Sequence, residues 1–283
     1  MKKVLIITYY FPPLGGAGVQ RILKFIKYLP DFNWIPLILT VKNADYYIKD
    51  HTLMEQVTDR ENICYTHAIL FGRFFRKIFH HNSEKLENVN RKDNIFLKPI
   101  KTIFNFLKKV FYTFVYFPDE YIGWIPFGLI KGYYFIKKKD VDLIISSGPP
   151  ISVHIIGYFL KKFTGRKWII DCRDLWETYN YVYNPFNFKF KIKTEEFFES
   201  KVFKYADRIV LASPPWVSQL KEKYHEVDKG KFSVITNGFD KDDFKDIESQ
   251  RFEKEFNIIH SGNMYMWRKP DNFLIAVNNL IKK

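Results

Sequence analysis

The apolar run VLIIT, residues 4–8, passes directly into YYFPPLGGAGVQR, Tyr9 to Arg21, and this junction decides the fold. An unbroken apolar run suits a strand buried on both faces, as in a parallel sheet. Residues 19–29 then carry apolar side chains at helical spacing. GGAG, Gly15 to Gly18, stands between the two. Its backbone amides, with the helix N-terminus behind them, suit an anionic group. A tight turn with no ligand is the alternative. A dinucleotide fingerprint needs G-x-G-x-x-G. Gly16 and Gly18 fit, but Arg21 stands at the third glycine, and Asp45, the one acid near ribose-binding distance, lies past the end of the second strand.

The same alternation runs through most of the 283 residues. Strands are expected at 3–8, 35–41, 62–66, 142–146, 167–171, 208–212 and 232–235, and helices at 19–29, 152–163 and 189–206. Strand–helix alternation predicts an α/β class protein with a doubly wound, Rossmann-like parallel sheet flanked by helices. Ligands of such sheets sit at the carboxyl ends of the strands, so residues just after each strand are the ones to inspect. The start, MKKVLIITYYFPP, imitates a signal peptide, yet its apolar run is short and ends in Pro-Pro, which reads as a buried first strand. Cys64 and Cys172 are the only cysteines and form no CxxC pair, which suits a reducing cytosol. No segment is apolar for long enough to span a bilayer.

The formal charge is +14 and aromatic residues make up 19% of the chain. A polyanionic partner fits that balance. So does the Lys-, Asn-, Ile- and Phe-rich usage of an AT-rich genome. Residues 71–109 hold ten Lys/Arg against three Asp/Glu, a net +7, with Phe, Leu and Ile interleaved. The whole stretch 71–118 reads as a basic aromatic insertion. It suits an anionic membrane interface, or an insertion packed on the main domain with its lysines in solvent. No nucleic-acid motif accompanies it, so nucleic acid is not an expected partner.

Three more strand ends carry candidate chemistry. SSGPPISVH, Ser146 to His154, turns sharply and places His154 one turn into a helix. A lone helical histidine is more often structural than catalytic. DCRDLW, Asp171 to Trp176, gathers two carboxylates, a guanidinium and an indole. Arg173 can hold a phosphate or carboxylate, and Asp171 or Asp174 can accept sugar hydroxyls; an internal Asp–Arg pair fits as well. TNGFD, residues 236–240, is a polar turn. Beyond it, FNIIHSGNMYMWRKPDNFLIAVNNLIKK begins a new strand–loop–helix unit.

These pieces in this order resemble the family 4 glycosyltransferases of GT-B architecture, and more closely their bacterial subgroup with a D-x-R-D-x-W motif. The likeness rests on YYFPPLGGAGVQR, SSGPPISVHIIG, DCRDLW, ITNGFD and IIHSGNMYMWRKPDNFLIAV, and leaves out the basic region.

The resemblance implies a retaining, hexosyltransferase-type transfer from a nucleotide-diphosphate sugar used as co-substrate, with no permanently bound cofactor and no metal. It implies an acceptor-side domain over 1–240, and over 241–283 a linker and the incomplete start of a nucleotide-sugar-binding domain. Gly15 and Gly16 would approach the donor, and Arg268, with Lys269, its diphosphate. Arg173, Asp174 and His154 become the catalytic candidates. Many relatives carry a histidine where Arg173 stands. Asp119, Asp171, Trp176 and Asn237 would line the acceptor cleft. The family's pair of Glu residues, eight positions apart, has no counterpart here, so this chain is expected to transfer no sugar alone, whether truncated or completed by a separate C-terminal half. Otherwise it is a non-catalytic acceptor-binding module. The expected setting is cell-surface polysaccharide or lipopolysaccharide synthesis, with a lipid-linked saccharide acceptor, in the cytoplasm at the inner face of a bacterial membrane.

Overall fold

The structure, a computed structural model, describes residues 1–42, 44, 48–57, 59–71, 117–176, 189–245, 256–262, 264 and 269–282. The insertion read at 71–118 falls outside this set but for residues 71, 117 and 118, as do Asp45 and Arg268. The chain divides into two units, Met1–Gly238 and Phe239–Lys283.

The first unit is built on seven strands: β1 (Lys2–Thr8), β2 (Trp34–Val41), β3 (Ile63–Thr66), β4 (Leu143–Gly148), β5 (Lys167–Cys172), β6 (Arg208–Leu211) and β7 (Phe232–Val234). They pair in the order β3-β2-β1-β4-β5-β6-β7, every pair parallel. β1 is central, and Val4 to Ile7 are wholly buried, as its continuous apolar sequence requires. All seven expected strands form, none shifted by more than two residues at an end.

Strand alternation sends successive side chains to opposite faces. Val4 and Ile6 meet Val19, Ile22 and Leu23 of helix α1 (Ala17–Tyr28) on one face. Leu5 and Ile7 join Trp124, Ile136, Val153, Ile156, Leu160, Trp168 and Phe203 on the other. That second layer contains α2 (Ile125–Lys139), α3 (Ser152–Thr164), α4 (Lys189–Tyr205) and α5 (Pro214–Lys223). Right-handed crossovers explain the division, because the order reverses at β1. Only the connections running from β1 toward β3 go the other way.

The sequence pattern did not point to α2 or α5. In α2, IPFGLIKGYYFIKKK, apolar residues sit almost all round, so no 3.6-residue rhythm stands out. Its two glycines also lower helix propensity. Packing explains them: a Cβ on Gly128 would lie 2.7 Å from Ile156 Cδ1, and one on Gly132 2.8 Å from Leu160 Cδ1 and 2.9 Å from Leu39 Cδ2. α2 therefore lies flush on both α3 and the sheet.

In the second unit, helix α6 (Asp271–Ile281) forms as expected but buries no residue. The strand expected before it does not form among described residues 256–262. A strand is held by a neighbour's backbone ladder, and none is present among the described residues of this unit.

Gly123 fixes the entry to α2. Its carbonyl accepts from Ile69 N at 3.2 Å, and an added Cβ would collide with the Ile69 carbonyl oxygen. Backbone cannot yield as a side-chain tip can, so Gly123→Ala should lower unfolding stability by about 3 kcal/mol, read by urea denaturation.

Candidate functional site

The first strand's exit is braced from behind before any ligand is considered. Leu14 bridges to Lys49, Gly15 N donates to Ile48 O at 3.0 Å, and Asp50 N donates to Pro13 O at 2.9 Å. Gly15 is therefore turned into the protein, and its amide is not offered to a ligand as expected. Gly16 plays the exposed part instead. It is the N-cap of α1 with φ 90°, a backbone region that favours glycine. The α1 head, formed by Gly16, Ala17 and Gly18, is half-exposed to exposed. The first amides of a helix have no intrahelical acceptor and carry the positive end of its dipole.

Two arginines lock this edge together. Arg21, on α1, donates to both oxygens of Asp171 (Nη2 to Oδ1 2.8 Å; Nε to Oδ1 3.2 Å and to Oδ2 3.1 Å). It also reaches Ile235 O at 2.9 Å, Thr236 O at 3.1 Å and Asn237 Oδ1 at 3.2 Å. Ser147 Oγ donates to Asp171 Oδ2 at 2.7 Å. Asp171 and Asn237, both expected to line an acceptor cleft, are thus partners of Arg21. The pair's side chains are only 6% and 2% exposed. Arg21 had entered the sequence argument merely as the residue that spoils a dinucleotide fingerprint. The available signal was a lone cation one position from the apolar Ile22, and an acid ending a buried strand.

Arg173 is internal too. Its Nε donates to Gly148 O at 3.2 Å, Nη2 to Pro149 O at 2.7 Å, and Nη1 to Gly18 O. A Cβ on Gly18 would lie 3.1 Å from Arg173 Nη1, so that glycine makes room for the guanidinium. Burial pulls the Arg173 pKa down, partly opposed by Asp171. Arg173, expected as a catalytic candidate, braces the β4–α3 turn against α1 and adds positive charge beneath the α1 head. Asp174, next to it, is exposed.

His154, another catalytic candidate, is also bonded inside the protein. It is buried, its Nδ1 lies 2.9 Å from Ser146 Oγ, and its ring stacks on Trp176 at 6.1 Å. Ser146 Oγ accepts from Trp168 Nε1 at 2.9 Å. Donating its own proton to His154 Nδ1 satisfies all three groups and leaves the ring proton on Nε2. Burial, aided by the Arg173 charge, pushes the His154 pKa down to about 3. The ring is neutral near pH 7 and serves packing. Trp176, assigned to the cleft, is 4% exposed, and its indole N–H finds no acceptor among the described residues.

Asp119, another cleft candidate, caps α3. Its carboxylate accepts from Ser152 N (2.7 Å), Ser152 Oγ (2.6 Å) and Tyr121 N (2.9 Å). Burial nonetheless raises its pKa to about 6. Lys269 is exposed, just before α6 in the second unit, and Arg268 lies outside the described residues. Among the described residues no three His, Cys, Asp or Glu side chains gather to hold a metal.

Two predictions follow from these partners. Arg21→Ala leaves Asp171 buried and unpaired and should cost about 3–5 kcal/mol, whereas Arg21→Met combined with Asp171→Leu should recover most of that; urea denaturation of both variants checks it. The second concerns pH. The folded His154 pKa lies below its ordinary 6.5, so the unfolded chain gains a proton first and stability falls as pH drops from about 6.5 toward 3. Asp119 acts oppositely: its folded pKa is raised above 3.8, so its contribution is complete below that value and is lost as pH rises through about 6. From pH 7 to 5 the histidine should remove about 2 kcal/mol and the carboxyl return about 1.4 kcal/mol. His154→Asn should abolish the first slope alone, measured by denaturation across that range.

No protein-family model matches the sequence, and no curated protein does. Among solved structures, apo UGT2 of Phytolacca americana is similar to 84% of this chain at 10% identity, with a TM-score of 0.42. The likeness covers 52% of that structure, so this chain spans about half its length.

Proposed function

We propose that this chain is the acceptor-side part of a nucleotide-sugar-dependent glycosyltransferase, with a diphosphate seated at the head of α1. One observation carries the reading. Gly16, at φ 90°, opens the first amides of α1 at the carboxyl edge of a parallel sheet, and the buried Arg173 cation lies directly behind them, bonded to Gly18 O. Such an edge stabilises an anion, above all one gaining charge as it leaves. In the transfer, an acceptor hydroxyl oxygen bonds to the anomeric carbon while the bond from that carbon to the diphosphate breaks. The hydroxyl proton leaves with the nucleoside diphosphate or passes to a nearby base, and Asp174 is the exposed carboxylate we assign to orient that hydroxyl.

The finer parts of the reading rest on the sequence resemblance. They are retention at the anomeric carbon, a lipid-linked saccharide acceptor, cell-surface polysaccharide or lipopolysaccharide synthesis at the inner face of a bacterial membrane, and diphosphate contacts from Arg268 and Lys269. A second reading has an observation of its own. His154 and Arg173 are both committed inside the protein, which suits a module that binds the saccharide without transferring sugar. A product assay with donor and acceptor separates the two.

Binding is tested through Ala17, which is exposed at the first position of α1. Nucleoside diphosphates and their sugars should raise the melting temperature, ligand at a hundred times its Kd adding about 2.7 kcal/mol, while NAD should not. Ala17→Glu places a carboxylate on the helix dipole. It should hold or slightly raise stability, by about 0.3–1 kcal/mol, and yet abolish the ligand-induced shift. A shift with NAD alone, or one unchanged by Ala17→Glu, would sink the reading.

A further inference from the structure

α2 and α3 carry a basic surface of one sign. Their sequences, IPFGLIKGYYFIKKK and SVHIIGYFLKKFT, contain six lysines, at 131, 137, 138, 139, 161 and 162, and no Asp or Glu. The acids near their ends are each bonded, one of them to Lys161 of α3 itself. Asp140 pairs with Arg166 at 2.9 Å, Asp142 accepts from Lys3 N at 2.7 Å, and Asp207 binds Lys161 and Lys167.

The buried stripe of α2 runs through Gly128, Gly132 and Ile136, and that of α3 through Val153, Ile156 and Leu160. On the opposite side of α2, Ile130 and Tyr134 are 59% and 66% exposed, and Phe163, one turn beyond Leu160 at the end of α3, is 58% exposed. Phe163 stacks with Phe159 at 6.0 Å. Lys131, Lys137, Lys138 and Lys162 are exposed around them. Large apolar side chains standing in water beside lysines, with no carboxylate on either helix, match the two layers of an anionic bilayer surface. The rings and the isoleucine enter the headgroup–acyl boundary while the ammonium groups meet lipid phosphates. Neither helix is long and apolar enough to cross a membrane, so the chain would lie on the surface.

We propose that the outer face of α2 and α3 is a docking surface for anionic lipid. It gives the lipid-linked acceptor of the preceding reading a place to meet the protein, and so deepens that reading. The tests are separate, because flotation reports this face and the nucleotide-induced thermal shift reports the α1 head.

The experiment is flotation of the full chain with phosphatidylcholine vesicles, with and without phosphatidylglycerol, at low salt. Two variants accompany it: Ile130→Ser/Tyr134→Ser/Phe163→Ser and Lys131→Gln/Lys137→Gln/Lys138→Gln/Lys162→Gln. All the positions are exposed, and unchanged urea midpoints would verify folding. The wild-type chain should float with phosphatidylglycerol vesicles only, and each variant should lower partitioning about tenfold or more. The proposal is overturned if the wild type does not float or if both variants float as it does. It is also overturned if the apolar variant merely dissolves a dimer of this chain, or if an RNA oligonucleotide, and not the vesicles, is what the lysine variant loses.

Discussion

Arg21 and Asp171 meet almost out of water, and the carboxyl edge of the sheet is arranged around that meeting. Asp171 ends β5, Arg21 lies in the second turn of α1, and the same guanidinium takes the carbonyls of Ile235 and Thr236 and the amide oxygen of Asn237. Three segments far apart in sequence thus share one cation. Just after β7, Ile235 N to Leu211 O at 3.0 Å is the last rung of the ladder among the described residues. A planar fork of five N–H donors can join so many acceptors in fixed directions, and a lysine ammonium cannot. Desolvating such a pair gains little net stability. What it supplies is definition of where α1 begins relative to β5 and of where the chain leaves the first unit.

Arg173 repeats the device one layer away, with carbonyls in place of a carboxylate. The difference matters for chemistry. The charge of Arg21 is taken up directly by Asp171, whereas the hydrogen bonds of Arg173 go to carbonyls, with the charges of Asp171 and Asp174 acting on it as well. An anion approaching Gly16 meets helix amides that need no rearrangement and a cation that cannot swing away. Preorganised polar groups of this kind favour charge that develops during a reaction more than charge already present.

The sheet was legible in the sequence because parallel strands buried on both faces carry unbroken apolar runs, and VLII, LII and WII have no other economical reading. Helices α1 and α3 kept one polar side and were legible too, whereas α2 did not, because it is apolar toward sheet, neighbour and solvent alike. Site residues were harder. Candidate types were read at strand ends, but their partners lie more than a hundred residues away in the case of Arg21 with Asp171 and Arg173 with Gly18. Sequence spacing cannot separate a guanidinium aimed at a phosphate from one aimed at a carbonyl. His154 shows the same limit: only burial beside Ser146 and Arg173 reveals a neutral ring.

The glycines of α2 connect interior and surface. With no side chain at 128 and 132, the helix settles onto Ile156, Leu160 and Leu39, so α2 and α3 lie close and form one broad outer face. A bulkier residue at either position would lift α2 and split that face into two ridges. Close packing inside therefore sets α2, with Ile130 and Tyr134 exposed on its outer side, beside α3, whose Phe163 is exposed at its end, where isolated apolar residues would need no explanation. These exposed apolar side chains, together with lysines on two helices that carry no acid, are what set this face apart from ordinary protein surface.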